Sequence, residues 1–147
     1  IHGGEACNIV AKEVRIEGTM RAFSDEVYEK MVQRVEEAVK FIAAGYGCEG
    51  IVTFNHMYRV VNNDEALVRA LEEACGESYL TTQPYMLAED FSFFQQVVPG
   101  LFFFLGAKNT EKGFIHPLHS AEFDFDEKIL CFGVETYMNL LVTLGMF

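Results

Sequence analysis

The sequence predicts an α/β protein, and three stretches predict it. Residues 12–23 alternate, with Val14, Ile16, Gly18 and Met20 set against Glu13, Arg15, Glu17, Thr19 and Arg21. A period of two with one polar face marks a half-exposed strand of the antiparallel kind. Residues 27–42 change to helical spacing: Val27, Met31, Val35, Ala38, Val39 and Ile42 stand opposite Glu29, Lys30, Arg34, Glu37 and Lys40. Leu101-Phe102-Phe103-Phe104-Leu105 is apolar on both faces, as a central buried strand should be, and a second amphipathic pattern follows at 128–146.

Taken in order, the first strand runs into Ser24, a natural N-cap, with Asp25 and Glu26 placed to suit the positive end of a helix dipole. Gly45 closes that helix. Residues 51–59 return to strand composition, so strand, helix and strand make half of a ferredoxin-like α/β sandwich. The character changes near Val60-Val61-Asn62-Asn63. Asn63 or Asp64 can cap a second helix carrying Leu67, Val68, Leu71 and Ala74, which stops at Gly76. Residues 79–82 suit a short strand, and Pro84 breaks the chain ahead of Met86-Leu87-Ala88-Glu89-Asp90-Phe91. Phe91, Phe94 and Val97 then suit a short helix ended by Pro99-Gly100. The boundary between the two regions falls at about residue 59, with no flexible linker, low-complexity segment or internal repeat.

Composition narrows the function. The 147 residues suffice for one ordinary domain or two small ones, and the hydrophobic half of them, with fourteen Phe, suffices for a sizeable core. A formal net charge of −11 argues against a nucleic-acid groove or an anionic membrane surface as partner. No apolar run approaches the ~20 residues of a membrane span. Cys7, Cys48, Cys75 and Cys131 are scattered, with no C-x-x-C pair. Without a signal peptide or an N-x-S/T sequon, reduced thiols in a cytoplasm are expected. The chain starts at Ile1 without an initiator Met and reads as a piece of something longer.

Few groupings carry chemistry. Gly45-Tyr46-Gly47-Cys48-Glu49-Gly50 has the spacing G-x-G-x-x-G, but it leaves a helix and opens a strand. The dinucleotide fingerprint requires the reverse order, so a helix C-cap and turn explains these glycines. The segment Gly113 to Glu127 is richer. His116 and His119 flank Pro117, and Glu122, Asp124, Asp126 and Glu127 follow. Imidazole is the commonest zinc ligand, while the competing reading is a loop histidine bonded to a neighbouring carboxylate. Pro117 rules out a regular helical pairing of the two rings. Glu89 and Asp90 are adjacent, which usually points them apart, and Arg21 at a strand end can clamp a carboxylate bidentately.

In this order the pieces resemble the C-terminal part of the aminoacylase/carboxypeptidase-G-like zinc peptidase family. The branch is similar to the amidohydrolases of N-acyl amino acids, hippurate and auxin conjugates. Four segments carry the resemblance: Gly3-Gly4-Glu5-Ala6-Cys7-Asn8-Ile9, Gly18-Thr19-Met20-Arg21, Met86-Leu87-Ala88-Glu89-Asp90-Phe91, and Pro117-Leu118-His119-Ser120-Ala121-Glu122-Phe123 running into Asp126-Glu127.

The resemblance implies that residues 1–58 are the latter part of a ferredoxin-like α/β lid, a dimerisation domain, and that residues 59–147 are the C-terminal part of a zinc-peptidase-like α/β catalytic domain. It makes His119 a metal ligand, and Asn8 and Arg21 substrate-binding residues, with Arg21 on the substrate carboxylate. His116 matches no ligand position and stays structural. The implied reaction is hydrolysis, by metal-activated water, of the amide bond of an N-acyl amino acid or small peptide. The implied cofactor is a divalent metal, zinc or manganese, with two ions in the whole enzyme, and the implied assembly is a homodimer through the lid. Two glycines usual before Glu-Asp-Phe are Leu87 and Ala88 here, and a usual Pro is Ala11, both of which bear on the acyl group.

The resemblance further implies that the remaining ligands and the general base precede the lid in a full chain. This chain alone therefore supplies one ligand of roughly five, no catalytic residue, and is expected to be inactive. The alternative function is a non-catalytic α/β module for dimerisation or amino-acid binding.

Overall fold

Ser24 starts the longest element of the chain. In the computed structural model, which describes residues 1–147, Ser24 is extended at φ −148° and ψ 135°, and its hydroxyl accepts the Val27 N–H at 3.4 Å. Helix α1 (Asp25–Gly45) follows, with Asp25 and Glu26 in its first turn. Gly45 belongs to the helix, and the stop comes two residues later. Gly47 takes φ +67° and donates to the Ala44 carbonyl at 3.1 Å, while Cys48 donates to Ala43 at 2.9 Å. That pair of bonds is a Schellman cap, so the glycine spacing here is helix-ending chemistry.

The chain divides into two units, the first being Ile1–Val60 with Tyr85–Ala88. Within it the segment after the cap folds back along α1. A Cβ on Gly50 would lie 2.7 Å from the Val39 carbonyl, so only glycine permits that approach. Val52 and Phe54 are half-buried while Ile51, Thr53 and Asn55 are exposed. His56 Nδ1 then meets the Tyr28 hydroxyl at 3.1 Å, and the Val60 N–H donates to the Asp25 carboxylate at 3.4 Å. The segment thus passes from the end of α1 to its start.

The strand expected at 51–59 keeps its alternation only over 51–55, is exposed throughout 56–59, and has no ladder. The strand expected at 12–23 shrinks to β2 (Val14–Arg15), paired antiparallel with β1 (His2–Gly3) in register His2↔Arg15 and Gly3↔Val14. A strand is defined by a neighbour's N–H and C=O groups, and these segments find few within the chain. Both faces of 12–19 are accordingly exposed, against the half-buried expectation.

The second unit is Val61–Pro84 with Glu89–Phe147. Helix α2 (Glu65–Cys75) is capped by Asp64, whose carboxylate accepts the Ala66 and Leu67 N–H groups at 2.9 and 3.1 Å. Asn63 is therefore free for another task. Its amide nitrogen donates to the Phe102 carbonyl at 2.7 Å, and its oxygen accepts the Phe102 N–H at 2.8 Å. The short α3 (Phe91–Gln95) supplies Gln95, whose amide bonds the Asn62 N–H and the Gly100 carbonyl, each at 3.0 Å. A Cβ on Gly100 would fall 2.8 Å from Gln95 Cγ, so the glycine is needed for this closure. Helix α4 (Ile129–Thr143) ends on Gly145 at φ +71° with a second Schellman cap.

The expected buried strand at 101–105 is a run with no ladder of its own, threaded between helices. Leu101 and Phe103 pack on the Ala70–Leu71–Leu140 core, Phe103 meets Tyr137 with ring centres 5.3 Å apart, and Leu105 lies over Gly133. Two extended residues advance about 6.6 Å and four helical residues about 6 Å, so alternate side chains meet successive turns of α4. Phe102 faces the other way, 5.7 Å from the Phe91 ring. The short strand expected at 79–82 is also absent.

The architecture is α/β, with four α-helices and one small sheet. The sizeable core does not appear: burial is confined to Ala70, Leu71, Ser92 and Leu140, while Phe41 is 83% exposed and Ile51 79%. Helix α1 has one packed face and nothing beyond it within its unit.

Two outcomes follow from the hydrogen bonds. Asn63→Ala leaves both Phe102 backbone groups without partners, and should cost about 1–3 kcal/mol in urea denaturation. Ser92 has no exposed surface and its hydroxyl has no partner, so Ser92→Ala should leave the midpoint unchanged or raise it.

Candidate functional site

The His-bearing loop lies in the second unit and is built from turns. Asn109 and Phe114 exchange two backbone hydrogen bonds of 2.9 Å, making a tight hairpin across 109–114. Two consecutive turns follow. Ser120 N–H donates to the Pro117 carbonyl at 2.9 Å, and Phe123 N–H donates to the Ser120 carbonyl at 3.1 Å. His119 is therefore the third residue of the first turn, exposed, and its ring makes no hydrogen bond or ion pair. Pro117 fixes the entry to this turn, which is why the two imidazoles do not stack as on a helix.

The carboxylates of the loop are engaged elsewhere. Glu122 and Asp124 are the nearby acceptors that would orient His119, and neither does. Glu122 Oε2 lies 3.3 Å from His116 Nδ1, and Asp124 Oδ1 accepts the Phe125 N–H at 2.8 Å. Asp126 receives the Lys112 ammonium and also accepts the Lys128 N–H at 3.1 Å, opening the turn that leads into α4. No three His, Cys, Asp or Glu side chains gather into a metal cluster. A lone exposed imidazole with no competing bond suits one ligand position, but the residues of this chain do not complete a site.

Asn8 and Arg21 belong to the first unit. Asn8 is the third residue of a turn closed by Ile9 N–H donating to the Ala6 carbonyl at 3.2 Å, in the connection between β1 and β2. Arg21 is exposed and makes one side-chain bond, from Nη1 to the Thr19 hydroxyl at 3.4 Å. Asn8 and Arg21 do not bond each other. Glu89 lies two residues before α3 and its carboxylate accepts the Phe91 N–H at 3.5 Å, a local contact at the start of that helix. Lys112 and Asn63 went unremarked as structural partners in the sequence. The adjacent amide-rich run Asn62-Asn63 was the available signal for the latter.

Asp126 titrates below the ordinary aspartate range, chiefly because the Lys112 ammonium bonds its carboxylate and secondly because of the Lys128 N–H. A depressed folded value means stabilisation that is present above the unfolded carboxylate value and lost as pH falls through the folded one. Lys112→Met should move the Asp126 carboxyl resonance titration upward toward the ordinary value, read by carbon-13 NMR.

Comparison with known proteins agrees with the family resemblance. Residues 4–143 match the model of peptidase family M20/M25/M40. The chain is 31% identical to IAA-amino acid hydrolase ILR1-like 6 of Arabidopsis thaliana, covering 93% of this chain and 33% of that one. It is 34% identical to N-acetyldiaminopimelate deacetylase of Bacillus velezensis, covering 97% and 37% respectively. It is 34% identical to thermostable carboxypeptidase 2 of Saccharolobus solfataricus, again covering 97% and 37%. The chain thus spans about a third of the length of these curated relatives. No solved structure matches it. With nearly its whole length matched, the chain belongs to peptidase family M20/M25/M40.

Proposed function

We propose that this chain is the later part of a metal-dependent amidohydrolase that cleaves the amide bond of an N-acyl amino acid or small peptide. The observation that carries the reading is the family match over residues 4–143, joined to relatives named as an amino-acid-conjugate hydrolase, a deacetylase and a carboxypeptidase. All three names describe hydrolysis of an amide linked to an amino acid.

In this reading His119 contributes one imidazole to a divalent ion, zinc or manganese, whose other ligands come from outside this chain. Such an ion supplies Lewis-acid polarisation of the amide carbonyl. The exposed turn and unengaged ring of His119 support that role. Arg21 takes the substrate carboxylate: one of its five N–H donors reaches Thr19, and the others remain for a planar two-point contact. Asn8, at the tip of its turn, offers an amide donor to the same substrate. Residues 1–58 act as the lid and 59–147 as part of the catalytic domain.

A homodimer through the lid is supported by the uncovered apolar side chains of α1, Phe41 and Ile42 among them. Four cysteines without a disulfide support a cytoplasmic protein. No helix is long and apolar enough to cross a membrane. By itself the chain should not hydrolyse anything, because one imidazole cannot hold a catalytic ion against water.

The test is His119→Ala in the full-length protein. Metal content should fall and hydrolysis of N-acyl amino acids should drop by at least about a thousandfold, the scale of a lost catalytic ligand or donor. His116→Ala, which removes no ligand, should keep the ion bound. Retained metal and activity in His119→Ala would refute the assignment.

A further inference from the structure

The loop that presents His119 is tied at its base by a bond that the proposed ligand set does not include. We infer that Lys112 and Asp126 form a clasp whose task is to position His119, an inference that rests on the metal-ligand reading of that residue. The two side chains join across the 113–125 stretch, one from the Asn109–Phe114 hairpin and one from the entry to α4.

Each end of the clasp is itself fixed. Lys112 N–H donates to the Asn109 side chain at 3.1 Å, holding the lysine on the hairpin. Asp126 accepts the Lys128 N–H at 3.1 Å, and its carbonyl accepts the Ile129 N–H at 3.0 Å. Helix α4 in turn packs its Leu140 against Ala70 and Leu71 of α2. The clasp therefore refers the loop to the most buried part of the unit.

Inside the clasp the loop has a second, shorter contact. His116 stands before the Pro117–Ser120 turn and Glu122 sits in the turn after it, 3.3 Å apart, with His119 three residues from each. The histidine whose ring makes no hydrogen bond or ion pair is thus flanked in sequence by two residues that pair with each other. A ligand on a free loop samples many positions, and each one lost before binding is an entropy saved at binding. Exposed ion pairs contribute little to global stability, so a pair placed around one loop acts on that loop's order.

Lys112→Met removes the charge and leaves both the Asn109 bond and the Asp126 cap intact, while Lys112→Arg keeps the charge. In the full-length protein, Lys112→Met should speed amide exchange across 113–124 about fivefold, the weight of one exposed ion pair, with α2 and α4 amides unchanged. Its kcat should fall by about tenfold with KM held, the size seen when a partner behind a metal ligand is removed, and Lys112→Arg should restore both readings. Unchanged loop exchange and kcat in Lys112→Met, beside an inactive His119→Ala, would overturn the clasp and leave the His119 assignment standing. An active His119→Ala would overturn that assignment and the clasp's purpose with it.

Discussion

The second unit depends on one side chain standing in for a strand. The Asn63 amide both donates to and accepts from the Phe102 backbone, the pair of bonds a neighbouring strand would make. Once Phe102 is fixed, its neighbours have no freedom about which way to face: Leu101, Phe103 and Leu105 turn to the core and α4, and Phe102 turns to Phe91. The same corner sets the helices. Asp64 donates its N–H to the Gly100 carbonyl while its carboxylate caps α2, and Gln95 of α3 bonds Gly100 from the other side. Register, helix start and chain crossing are thus settled by a few amide groups within reach of one another.

Local physics was legible in the sequence. Ser24, Asp64 and Gly76 act within a few residues of where they stand, and α1, α2 and α4 lie where the spacing of apolar residues puts them, although α1 stops at Gly47 and not at the expected Gly45. The strands were not legible as strands, because alternation says nothing of a ladder, and at 12–19 both faces stay exposed. Residues 51–55 show this: Val52 and Phe54 are half-buried between exposed neighbours, yet the backbone finds no neighbour to pair with. At 101–105 the sequence announced two apolar faces, but only Leu101, Phe102 and Phe103 are half-buried, while Phe104 and Leu105 stay exposed. Asn63 was weighed only as a cap, since its partner lies 39 residues away and no local rule reaches that far.

The candidate site divides in the same manner. The Pro117-Leu118-His119-Ser120 turn is local and was readable, and the role of His119 came from resemblance. The clasp was not readable: Lys112 and Asp126 are 14 residues apart and look like any two surface charges. Nor did the sequence show that Glu122 would sit beside His116 in place of His119.

That outcome bears on how an acidic, histidine-bearing loop should be interpreted. Four carboxylates after two imidazoles look like a ready-made cation site, and charge alone would favour one. The backbone spends several of them first. Asp124 satisfies the Phe125 N–H, Asp126 satisfies Lys128 and neutralises Lys112, and Glu122 lies against His116. A carboxylate already bonded to an ammonium and an N–H is a poor metal donor, because binding must first break those bonds. Subtracting such groups leaves the His119 ring as the unengaged donor of the double turn. An exposed imidazole kept out of every internal bond, on a loop fastened at its base, is what the proposed ligand role of His119 requires.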